Sequence, residues 1–396
     1  MDTQRTRRFE LPGTHELSKA QDAALALPLD GQHLIIGGPG TGKSVVALLR
    51  AQALARNKKK YCFLVYNQLL DQSNRHLFGN TNMFVATTWM SWFWSMWRQL
   101  FKAGVPTKSE ENGGAYSPID WVAVEQKISN LQENIELIQN PPYLVIDEGQ
   151  DMPPAFYKAL TNLGFENFYV VADQHQQITE YCSSRQDIEN ALDIESTNTL
   201  ELDFNYRNTH TIALLAQHFY CGDPASQPPK LPQKTPSIKD PALVCYSTMK
   251  PIWDFDFIAT RILQLSDRQP RKLIGIITPN DAVRRKFCDA MMRLDPELDH
   301  GKPPIQTYFH GHKQRLNFGQ GGIMVINSQS CKGLEFDIVF LADIDQHWAK
   351  EERLLKSLFY VMVARAREQV FLLRSGPIDR YVENILPEDA NILARR

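Results

Sequence analysis

The strongest constraint on the fold is the segment GGPGTGKS at residues 37–44. An apolar, strand-like run precedes it at residues 33–36, and a helix-like stretch follows at residues 45–55. In this context a glycine-rich turn exposes backbone N–H groups to phosphate oxygens, and the next helix directs its positive N-terminal end at them. We therefore predict a phosphate-binding loop in which Lys43 reaches the β- and γ-phosphates and Ser44 holds Mg²⁺. The other predicted phosphate contacts are the loop residues Gly38, Pro39, Gly40, Thr41 and Gly42.

The composition of the 396-residue chain leaves room for two or three domains. Hydrophobic residues make up 43% and charged residues 22% of the sequence, as in soluble globular proteins. The formal net charge is −2, so the chain has no overall basic field. This balance argues against a histone-like or purely electrostatic nucleic-acid binder, but it allows a groove with local positive charge.

The cysteines and the N-terminal segment bear on the cellular compartment in which the protein is expected. Six cysteines occur, at residues 62, 182, 221, 245, 288 and 331, without a CxxC pair or a zinc-ligand spacing. We interpret them as reduced cysteines of a cytosolic protein. The segment MDTQRTRRFELPG lacks the apolar stretch of a secretory signal, and no apolar run approaches the length of a membrane span. We therefore expect a cytoplasmic location.

Strand-like runs alternate with helix-like stretches along the chain, which favours parallel sheets covered by helices. The first set of predicted strands comprises residues 34–36, 61–66, 83–86, 143–146, 168–172 and 199–202. The second set comprises residues 243–246, 273–278, 322–327, 338–342 and 369–373. Between the sets, residues 221–241 are rich in Pro, Ser, Lys and Asp, as in an irregular connection. We therefore predict an α/β fold with two lobes whose parallel sheets are flanked by helices.

Residues 87–140 interrupt the first lobe, and we predict that they form a small, mostly helical insertion. Four of the seven tryptophans, at positions 89, 92, 94 and 97, lie within nine residues at its start. Their spacing does not fit one helical face. We expect most of them to pack the insertion, and the alternative is that one or two stack on nucleic-acid bases.

A second candidate site is the segment YLVIDEGQD at residues 143–151, where an apolar strand ends in two adjacent carboxylates. This pattern is typical of a Walker-B element. Asp147 is predicted to complete the Mg²⁺ shell, and Glu148 to polarise the attacking water as a general base. The alternative is an acidic strand end that caps the following helix at residues 153–163, and the phosphate loop about a hundred residues earlier argues against it.

Four further segments identify a family. They are FYVVADQHQQI at residues 168–178, LDFNYRN at 202–208, SCKGLEFD at 330–337 and YVMVARAR at 360–367. Together with GGPGTGKS and DEGQD, in this order, they resemble the motifs of superfamily 1 DNA helicases of the UvrD/Rep/PcrA type. The resemblance covers residues 21 to 367, which is nearly the whole chain.

The resemblance implies two RecA-like lobes with ATP in the cleft between them. It assigns residues 1–86 and 141–203 to the first lobe, residues 87–140 to the insertion and residues 204–396 to the second lobe. Gln21 resembles the glutamine that reads the adenine edge. Tyr206 is expected to stack on adenine, and Glu335 to contact the ribose.

The predicted catalytic set adds three residues to Lys43 and Glu148 on the basis of this resemblance. Gln176 resembles the motif III glutamine that senses the γ-phosphate. Arg207 resembles the motif IV arginine and Arg365 the motif VI arginine finger, which neutralise charge on the transferring phosphoryl group. For each arginine the alternative is a surface ion pair.

The resemblance also implies contacts with a single strand of nucleic acid. Tyr66 and Asn67 occupy the motif Ia position, and Thr88 and Trp89 begin the TWMS segment that is similar to motif Ib. Tyr181 falls where the family carries an aromatic residue that stacks on a base, and the alternative for it is a core position. Such backbone and stacking contacts would follow a strand without reading its sequence.

The chain departs from the family pattern at several positions. Val45 stands where an arginine often sandwiches adenine, Met90 replaces the histidine of motif Ib, and Ala172 replaces the glycine of motif III. The interval from residue 207 to residue 330 leaves no room for the large helical insertion called 2B. We therefore expect a near-minimal motor.

The expected function is that of a Mg²⁺-dependent, DNA-stimulated ATPase of superfamily 1A that moves 3′ to 5′ on single-stranded DNA, with single strands or 3′-tailed duplexes as partners. The short insertions leave a second interpretation open, because they provide little machinery to split a duplex. In that interpretation the chain is a nucleotide-gated, DNA-binding regulatory ATPase that controls a partner such as a nuclease without unwinding DNA by itself.

Overall fold

The computed structural model describes residues 5–7, 13–66, 86–108, 118–132, 138, 140–173, 183–221, 228–234, 241–245, 254–308, 316–376 and 380–395. The chain divides into two compact units. The N-terminal unit consists of Leu11–Gly37 and Gly42–Leu202, and the C-terminal unit of Met1–Glu10, Gly38–Thr41 and Asp203–Arg396. Residues 5–7, the described part of the first segment, thus group with the C-terminal unit.

A parallel sheet forms the centre of the N-terminal unit. Its strands are β1 (Gln32–Gly37), β2 (Tyr61–Val65), β3 (Ala86–Thr88), β4 (Tyr143–Ile146), β5 (Phe168–Ala172) and β6 (Leu200–Leu202). The strands are ordered β3-β2-β4-β5-β1-β6, and every pair of neighbours is parallel. The sheet confirms the first predicted set of strands, apart from residues 83–85, which lie outside the described residues.

Helices cover both faces of this sheet. They are α1 (Lys19–Ala26), α2 (Lys43–Arg56), α3 (Trp89–Phe101), α4 (Trp121–Gln132), α5 (Pro154–Asn162) and α6 (Arg185–Ala191). Successive strand residues point to opposite faces, so Leu34 and Ile36 belong to one core and Ile35 to the other. The uninterrupted apolar strands follow from this, since strands covered on both faces need no polar side.

The insertion contributes two helices, α3 and α4, which pack on one face of the sheet. Trp89 and Trp97 are buried, and Trp92 and Trp94 are partly buried against the same core. The prediction that most of these tryptophans pack the insertion is therefore confirmed. Their density along the chain reflects a helix that is apolar on more than one side.

The C-terminal unit also has a parallel sheet. Its strands are β7 (Ala242–Cys245), β8 (Leu273–Thr278), β9 (Ile305–Thr307), β10 (Gly322–Asn327), β11 (Phe336–Leu341), β12 (Ala366–Arg374) and β13 (Ala394–Arg395). The strands are ordered β13-β7-β12-β11-β8-β10-β9, and every pair of neighbours is parallel. The predicted α/β class with two parallel sheets is confirmed, and the two outermost strands, β9 and β13, were not predicted.

The helices of the C-terminal unit are α7 (His210–His218), α8 (Phe255–Arg268), α9 (Asp281–Arg293), α10 (Glu352–Val363) and α11 (Arg380–Glu383). Ile262 of α8 and Phe287 of α9 pack against Ile274 and Ile323 of the sheet. Within the described ranges, no helix is long and apolar enough to cross a bilayer.

The first residues of the chain pack on the C-terminal unit through hydrogen bonds and an ion pair. The N–H of Arg7 donates to the carbonyl of Gly319 at 2.9 Å, and Thr6 forms an antiparallel bridge with Gln320. The Arg7 guanidinium donates to the carbonyl of Phe318 at 3.2 Å and contacts Asp337 at 3.0 Å. Both side chains of this ion pair are less than 10% exposed, at 5% and 9%.

We predict that Arg7→Ala destabilises the C-terminal unit by about 3–5 kcal/mol, because it leaves the buried Asp337 carboxylate without its cation. Urea unfolding followed by circular dichroism measures this loss. The matched control is Arg293→Ala, which breaks an exposed ion pair with Asp256 and should cost no more than about 1 kcal/mol. Equal effects of the two changes would contradict a structural role for the N-terminal segment.

A buried histidine makes the stability of the C-terminal unit depend on pH. His347 is 4% exposed, its ring meets Phe359 edge-on, and its Nε2 atom has no hydrogen-bond partner among the described residues. Burial lowers its pKa from 6.5 to about 4. Between these values the unfolded chain binds a proton that the folded chain does not, so stability is lost as pH falls from about 6.5 to about 4.

We therefore predict that His347→Leu reduces the loss of stability between pH 7 and pH 4.5 by roughly 2–3 kcal/mol relative to the unchanged chain. Denaturant unfolding of both proteins at the two pH values checks this difference. The substitution removes the titrating group but keeps an apolar side chain in the same place. A pH dependence identical in both proteins would show that His347 does not titrate differently in the folded state.

Candidate functional site

The turn between β1 and α2 owes its shape to glycines. Gly40 and Gly42 have φ angles of 78° and 87°, in the left-handed region that favours glycine. The Thr41 hydroxyl donates to the carbonyl of Gly38 at 2.9 Å. Helix α2 begins directly after Gly42, and no side chain caps its N-terminus. The first N–H groups of α2 are therefore not used by a side-chain cap, as an anion site requires.

Two predicted phosphate-loop residues begin α2. The ammonium of Lys43 lies 3.1 Å from Oδ2 of Asp173, the residue that directly follows β5. Both side chains are buried, with exposures of 8% and 0%. The neighbouring Ser44 side chain lowers the pKa of Asp147, the residue that directly follows β4. The start of α2 thus meets the carboxyl ends of β4 and β5, in the arrangement that the two sequence segments predict.

Asp147 is completely buried. Its Oδ1 atom accepts the N–H of Glu148 at 3.0 Å, and its Oδ2 atom has no hydrogen-bond partner among the described residues. Burial and the adjacent Glu148 carboxylate raise the pKa of Asp147 to about 7, although Ser44 and Lys43 act in the opposite direction. A buried carboxylate oxygen without a donor is a position at which a cation would compensate the charge.

Glu148 is held by a residue that the sequence analysis did not identify as functional. Oε2 of Glu148 accepts a hydrogen bond of 2.6 Å from Nε2 of Gln150. Oε1 of the same glutamine accepts the N–H of Asp173 at 2.8 Å. Gln150 is 1% exposed, so this bridge is shielded from water. It connects the predicted base to the carboxylate that pairs with Lys43.

Sequence analysis could have found Gln150 and Asp173 only by their positions. Gln150 lies in the segment DEGQD, which follows β4, and Asp173 directly follows β5. Parallel strands β4 and β5 are neighbours, so residues just beyond their ends lie at one edge of the sheet. Strand order, which a single sequence does not show, is needed for that inference.

Gln21 lies beside the last glycine of the loop. Its backbone and side chain form a capping box with Ser18 at the start of α1, with distances of 3.2 and 3.0 Å. Its Nε2 atom lies 2.3 Å from the position that a Cβ atom on Gly42 would occupy. A side chain at residue 42 would therefore collide with Gln21. The structure thus holds the predicted adenine-reading residue against the phosphate loop.

The C-terminal unit brings Arg207 and Glu335 together as an ion pair. Oδ1 of Asn205 accepts the N–H groups of Arg207 and Asn208 at 3.0 and 3.1 Å and so shapes the turn that carries Arg207. Burial alone would raise the pKa of Glu335, but the surrounding arginines, Arg207 foremost, lower it below its usual value. Glu335 is thus an anionic residue in a cationic environment.

The other two predicted residues of this unit differ in exposure. Tyr206 is 53% exposed, and its ring centroid lies 4.7 Å from that of Phe204. Arg365 is 1% exposed, and its Nε atom donates to the carbonyl of Val361 at 3.0 Å. Tyr206 therefore presents a ring face, whereas Arg365 is fixed between the end of α10 and the start of β12.

The predicted nucleic-acid contacts of the N-terminal unit lie in or near its core. Trp89 is 6% exposed and meets Phe156 edge-on at 5.1 Å. Thr88 caps α3 through its hydroxyl, which accepts the N–H of Ser91 at 3.4 Å. Tyr66 is partly buried against the same core. Trp89 is thus a core residue in this structure.

Three predicted site residues, Asn67, Gln176 and Tyr181, lie outside the described residues. Their roles stay predictions.

A family comparison bears on the C-terminal unit. Residues 322–373 match the family model described as UvrD-like helicase C-terminal domain. This segment runs from β10 into β12 and contains Glu335 and Arg365. No curated protein matches the chain.

The solved structures that match the chain do so at low identity and low TM-score. The C-terminal domain of a possible DNA helicase from Lactobacillus plantarum WCFS1 has 18% identity and a TM-score of 0.33, with 48% of this chain and 97% of that chain covered. The PRRSV helicase has 14% identity and a TM-score of 0.35, with 89% of this chain and 54% of that chain covered. Arterivirus nonstructural protein 10, a helicase solved with DNA, has 13% identity and a TM-score of 0.35. The match covers 93% of this chain and 65% of that chain.

The chain therefore spans about half of the first viral helicase and just under two thirds of the second. The family match, in contrast, lies within the C-terminal unit. That match confirms, for residues 322–373, the resemblance to UvrD-like superfamily 1 helicases that the sequence motifs indicated.

Proposed function

We propose that this chain is an ATP-dependent DNA helicase or translocase that hydrolyses ATP to move along single-stranded DNA. The observation that carries the proposal is the meeting of Lys43, Ser44, Asp147 and Glu148 at one edge of the N-terminal sheet. A glycine turn, a lysine, a hydroxyl and two carboxylates are the parts that phosphoryl transfer from a nucleoside triphosphate requires. The helicase domain match directs this chemistry towards a nucleic-acid motor.

The donor set at this edge fits Mg²⁺ that is shared with a nucleotide. Among the described residues, no group of three or more His, Cys, Asp or Glu side chains could hold a metal ion alone. Ser44 and Asp147 instead supply one hydroxyl and one buried carboxylate, and Mg²⁺ is commonly held by one or two such groups together with phosphates and water. When bound there, Mg²⁺ would neutralise charge on the phosphate oxygens.

Glu148 is the proposed general base. It directly follows Asp147, and its carboxylate is oriented by the hydrogen bond from Gln150. A base that accepts a proton from attacking water must be held in one direction, because small displacements cost large factors in rate. Gln150 is therefore a positioning residue, and the N–H of Asp173 fixes Gln150 in turn.

The C-terminal unit supplies the remaining proposed nucleotide contacts. Tyr206 presents an exposed ring for the adenine, and Glu335 a carboxylate for the ribose. Arg207 and Arg365 are proposed to stabilise charge on the transferring phosphoryl group, as the resemblance implies. Gln176, in the N-terminal unit, is proposed as the γ-phosphate sensor on the same basis.

The finer assignments concern direction, partner and location. We propose superfamily 1A behaviour with 3′ to 5′ movement on single-stranded DNA or from a 3′ tail into a duplex. The location is proposed to be cytoplasmic because of the cysteine usage. A regulatory ATPase that controls a nuclease is the second candidate. It is favoured by the small insertion, whose described helices α3 and α4 pack against the sheet.

We predict that Glu148→Gln lowers kcat for ATP about 10²–10⁴-fold while ATP binding persists, because the amide cannot accept the proton. Steady-state ATPase assays with and without single-stranded DNA, and titration with a fluorescent ATP analogue, measure the two properties. Lys43→Ala should lower kcat and also weaken ATP binding. The matched control, Glu195→Gln, changes an exposed carboxylate of the same unit and should leave both unchanged.

For the unchanged chain, single-stranded DNA should increase ATP hydrolysis several-fold. A near-normal kcat of the Glu148→Gln variant would place the base elsewhere. Hydrolysis that depends on Glu148 but does not respond to DNA would favour the regulatory candidate.

A strand-displacement assay tests the direction of movement along DNA and whether the chain unwinds a duplex without a partner. We predict that the isolated chain separates a duplex with a 3′ single-stranded tail and leaves one with a 5′ tail intact, because lobe closure would advance the motor in one direction only. Fluorescence release from labelled duplexes of both kinds measures this, with blunt duplex as the control. A strict 5′-tail requirement would overturn the 1A assignment. ATPase activity with displacement only after a partner protein is added would support the regulatory candidate.

A further inference from the structure

An apolar groove, here called the α8 groove, lies between helix α8 and one face of the C-terminal sheet. Its cavity volume is about 240 Å³. Three adjacent strands, β7, β12 and β11, form its floor with the side chains of Val244, Leu373, Phe371 and Phe340. The nucleotide and nucleic-acid contacts proposed above include none of these residues, so the groove has no role in the proposed function.

The floor of the α8 groove follows from the register of the three strands. Phe340 lies opposite Phe371, and Leu373 lies opposite Val244. Phe371 and Leu373 are two positions apart on β12 and therefore point to the same face. The rings of Phe340 and Phe371 stack with centroids 4.8 Å apart and an angle of 15° between their planes. The floor is thus a continuous apolar surface that is formed before any ligand binds.

The cover of this surface is incomplete in the described part of the chain. Strands β7 and β12 each have a neighbouring strand on both sides, and such strands of a parallel sheet are normally buried on both faces. Val244 and Phe371 are nevertheless only partly buried. Their further burial against a ligand would be favourable, because it removes apolar surface from water.

Helix α8 forms the wall of the groove with two rows of side chains. The apolar row consists of Ile258, Ile262 and Leu265. The polar row consists of Arg261, Gln264 and Arg268. Within each row the residues are three or four positions apart, which keeps them on one side of a helix. The polar row therefore lies along the apolar floor and wall.

The two arginines of the polar row are available to an anionic ligand. Both are exposed, and neither forms an ion pair with a carboxylate of the described residues. Nη1 of Arg261 donates to Oε1 of Gln264 at 3.3 Å, and the Arg261 guanidinium lies 5.0 Å from the ring centroid of Phe257. A neutral carboxamide and an aromatic ring orient this guanidinium but leave its charge uncompensated.

The carboxylates of α8 are engaged elsewhere. Asp256 pairs with Arg293 at 2.7 Å. Asp267 is buried and accepts the N–H groups of Asp299 and His300 at 2.7 and 2.8 Å. Among the described residues that line the groove, none is acidic. The groove therefore combines an apolar interior with a positively charged rim.

The size of the groove favours one large side chain over a whole cofactor. Sites for cofactors and drug-sized ligands have volumes of about 300–1,000 Å³, whereas an apolar cavity of about 150 Å³ holds one benzene ring. The volume of about 240 Å³ thus fits one aromatic or branched aliphatic side chain. The arginines of the rim would then contact the residues that flank this side chain in its own chain.

Single-stranded nucleic acid fits the groove less well. Bases bind proteins by stacking on aromatic faces, but the two rings of the floor stack on each other and the rest of the apolar lining is aliphatic. Aliphatic surroundings would bury the polar edges of a base without hydrogen-bond partners, which costs free energy. An apolar side chain carries no such cost.

We propose that the α8 groove binds an acidic peptide segment of a partner protein. One aromatic or branched aliphatic side chain of the peptide enters the cavity, and acidic residues beside it contact Arg261 and Arg268. The inference goes beyond the proposed function, because it requires neither ATP nor a nucleic-acid strand.

The test measures, by fluorescence anisotropy, the affinity of the full chain for a fluorescein-labelled peptide that is rich in aspartate around one central phenylalanine. We expect saturable binding. Replacing the phenylalanine with serine should weaken binding about 10- to 100-fold, because the apolar burial is lost. Replacing the aspartates with asparagine should also weaken binding, and this loss should shrink at high salt.

Two pairs of substitutions test the rim. Arg261→Gln together with Arg268→Gln should weaken binding of the aspartate peptide about 3- to 20-fold at low salt and should not change binding of the asparagine peptide. The matched control, Arg285→Gln together with Arg353→Gln, removes two exposed arginines of the same unit that do not line the groove. It should bind the aspartate peptide like the unchanged chain.

A photo-crosslink locates the site without changing the protein. The central phenylalanine of the peptide is replaced with benzoylphenylalanine, and mass spectrometry identifies the residues to which it attaches. Crosslinks should fall on the partly buried residues of the groove, Val244, Leu265 and Phe371. This measurement keeps the test valid even if the arginine variants fold poorly.

Several outcomes would overturn the inference. Equal binding of the phenylalanine and serine peptides would mean that the attraction is only electrostatic, and crosslinks elsewhere or no saturable binding would exclude the groove as the site. If oligo(dT) displaces the peptide and the rim substitutions weaken its binding equally, the groove binds nucleic acid instead. If the unchanged chain self-associates and the rim variant does not, the groove binds a second copy. None of these results bears on ATP hydrolysis, which the Glu148→Gln assay tests separately.

Discussion

The N-terminal unit depends on the compensation of charges that it buries at one edge of its sheet. Lys43, Asp147, Glu148 and Asp173 are all less than 10% exposed. An isolated buried charge costs much free energy of folding. A buried ion pair is tolerated only when its other polar atoms also have hydrogen-bond partners. The ion pair between Lys43 and Asp173 meets this demand for two of the four residues.

Gln150 meets much of the demand for the rest. Its carboxamide donates to Glu148 and accepts from the backbone of Asp173, so one neutral side chain joins two charged positions. Oδ2 of Asp147 has no hydrogen-bond partner among the described residues, and the pKa of this carboxyl is raised to about 7. Of the four buried charged residues, Asp147 is therefore the one with a carboxylate oxygen left for the proposed cation, as a preorganised site requires.

Sequence alone was sufficient for the elements whose signal is local. Strands such as β4 and β8 are continuous apolar runs of four and six residues, and the glycine turn with Lys43 is contiguous. The edge strands β9 and β13 have three and two residues, too few to show a period. The tryptophans at residues 89–97 mark the insertion in the sequence, but only the structure shows that Trp89 and Trp97 are buried.

The contacts that could not be predicted join residues far apart in the chain. Arg7 and Asp337 are separated by 330 positions, and Gln150 and Asp173, which lie beyond the ends of adjacent strands, by 23 positions. Each pairing depends on strand order and on how an irregular segment runs. Burial shows in composition only when side chains are apolar, so polar groups that become buried through tertiary contacts leave no periodic signal.

Both proposed phosphate-contacting side chains with a defined ion pair, Lys43 and Arg207, already face a carboxylate of their own unit. A phosphate that binds them must replace Asp173 or share Lys43 with it, and the same holds for Glu335 and Arg207. The net gain in affinity is then smaller than for an unpaired cation, because one ion pair is exchanged for another. What the pairs provide instead is direction: each cation is held in place before the nucleotide arrives, so less reorganisation is left for the step in which charge develops on the phosphoryl group.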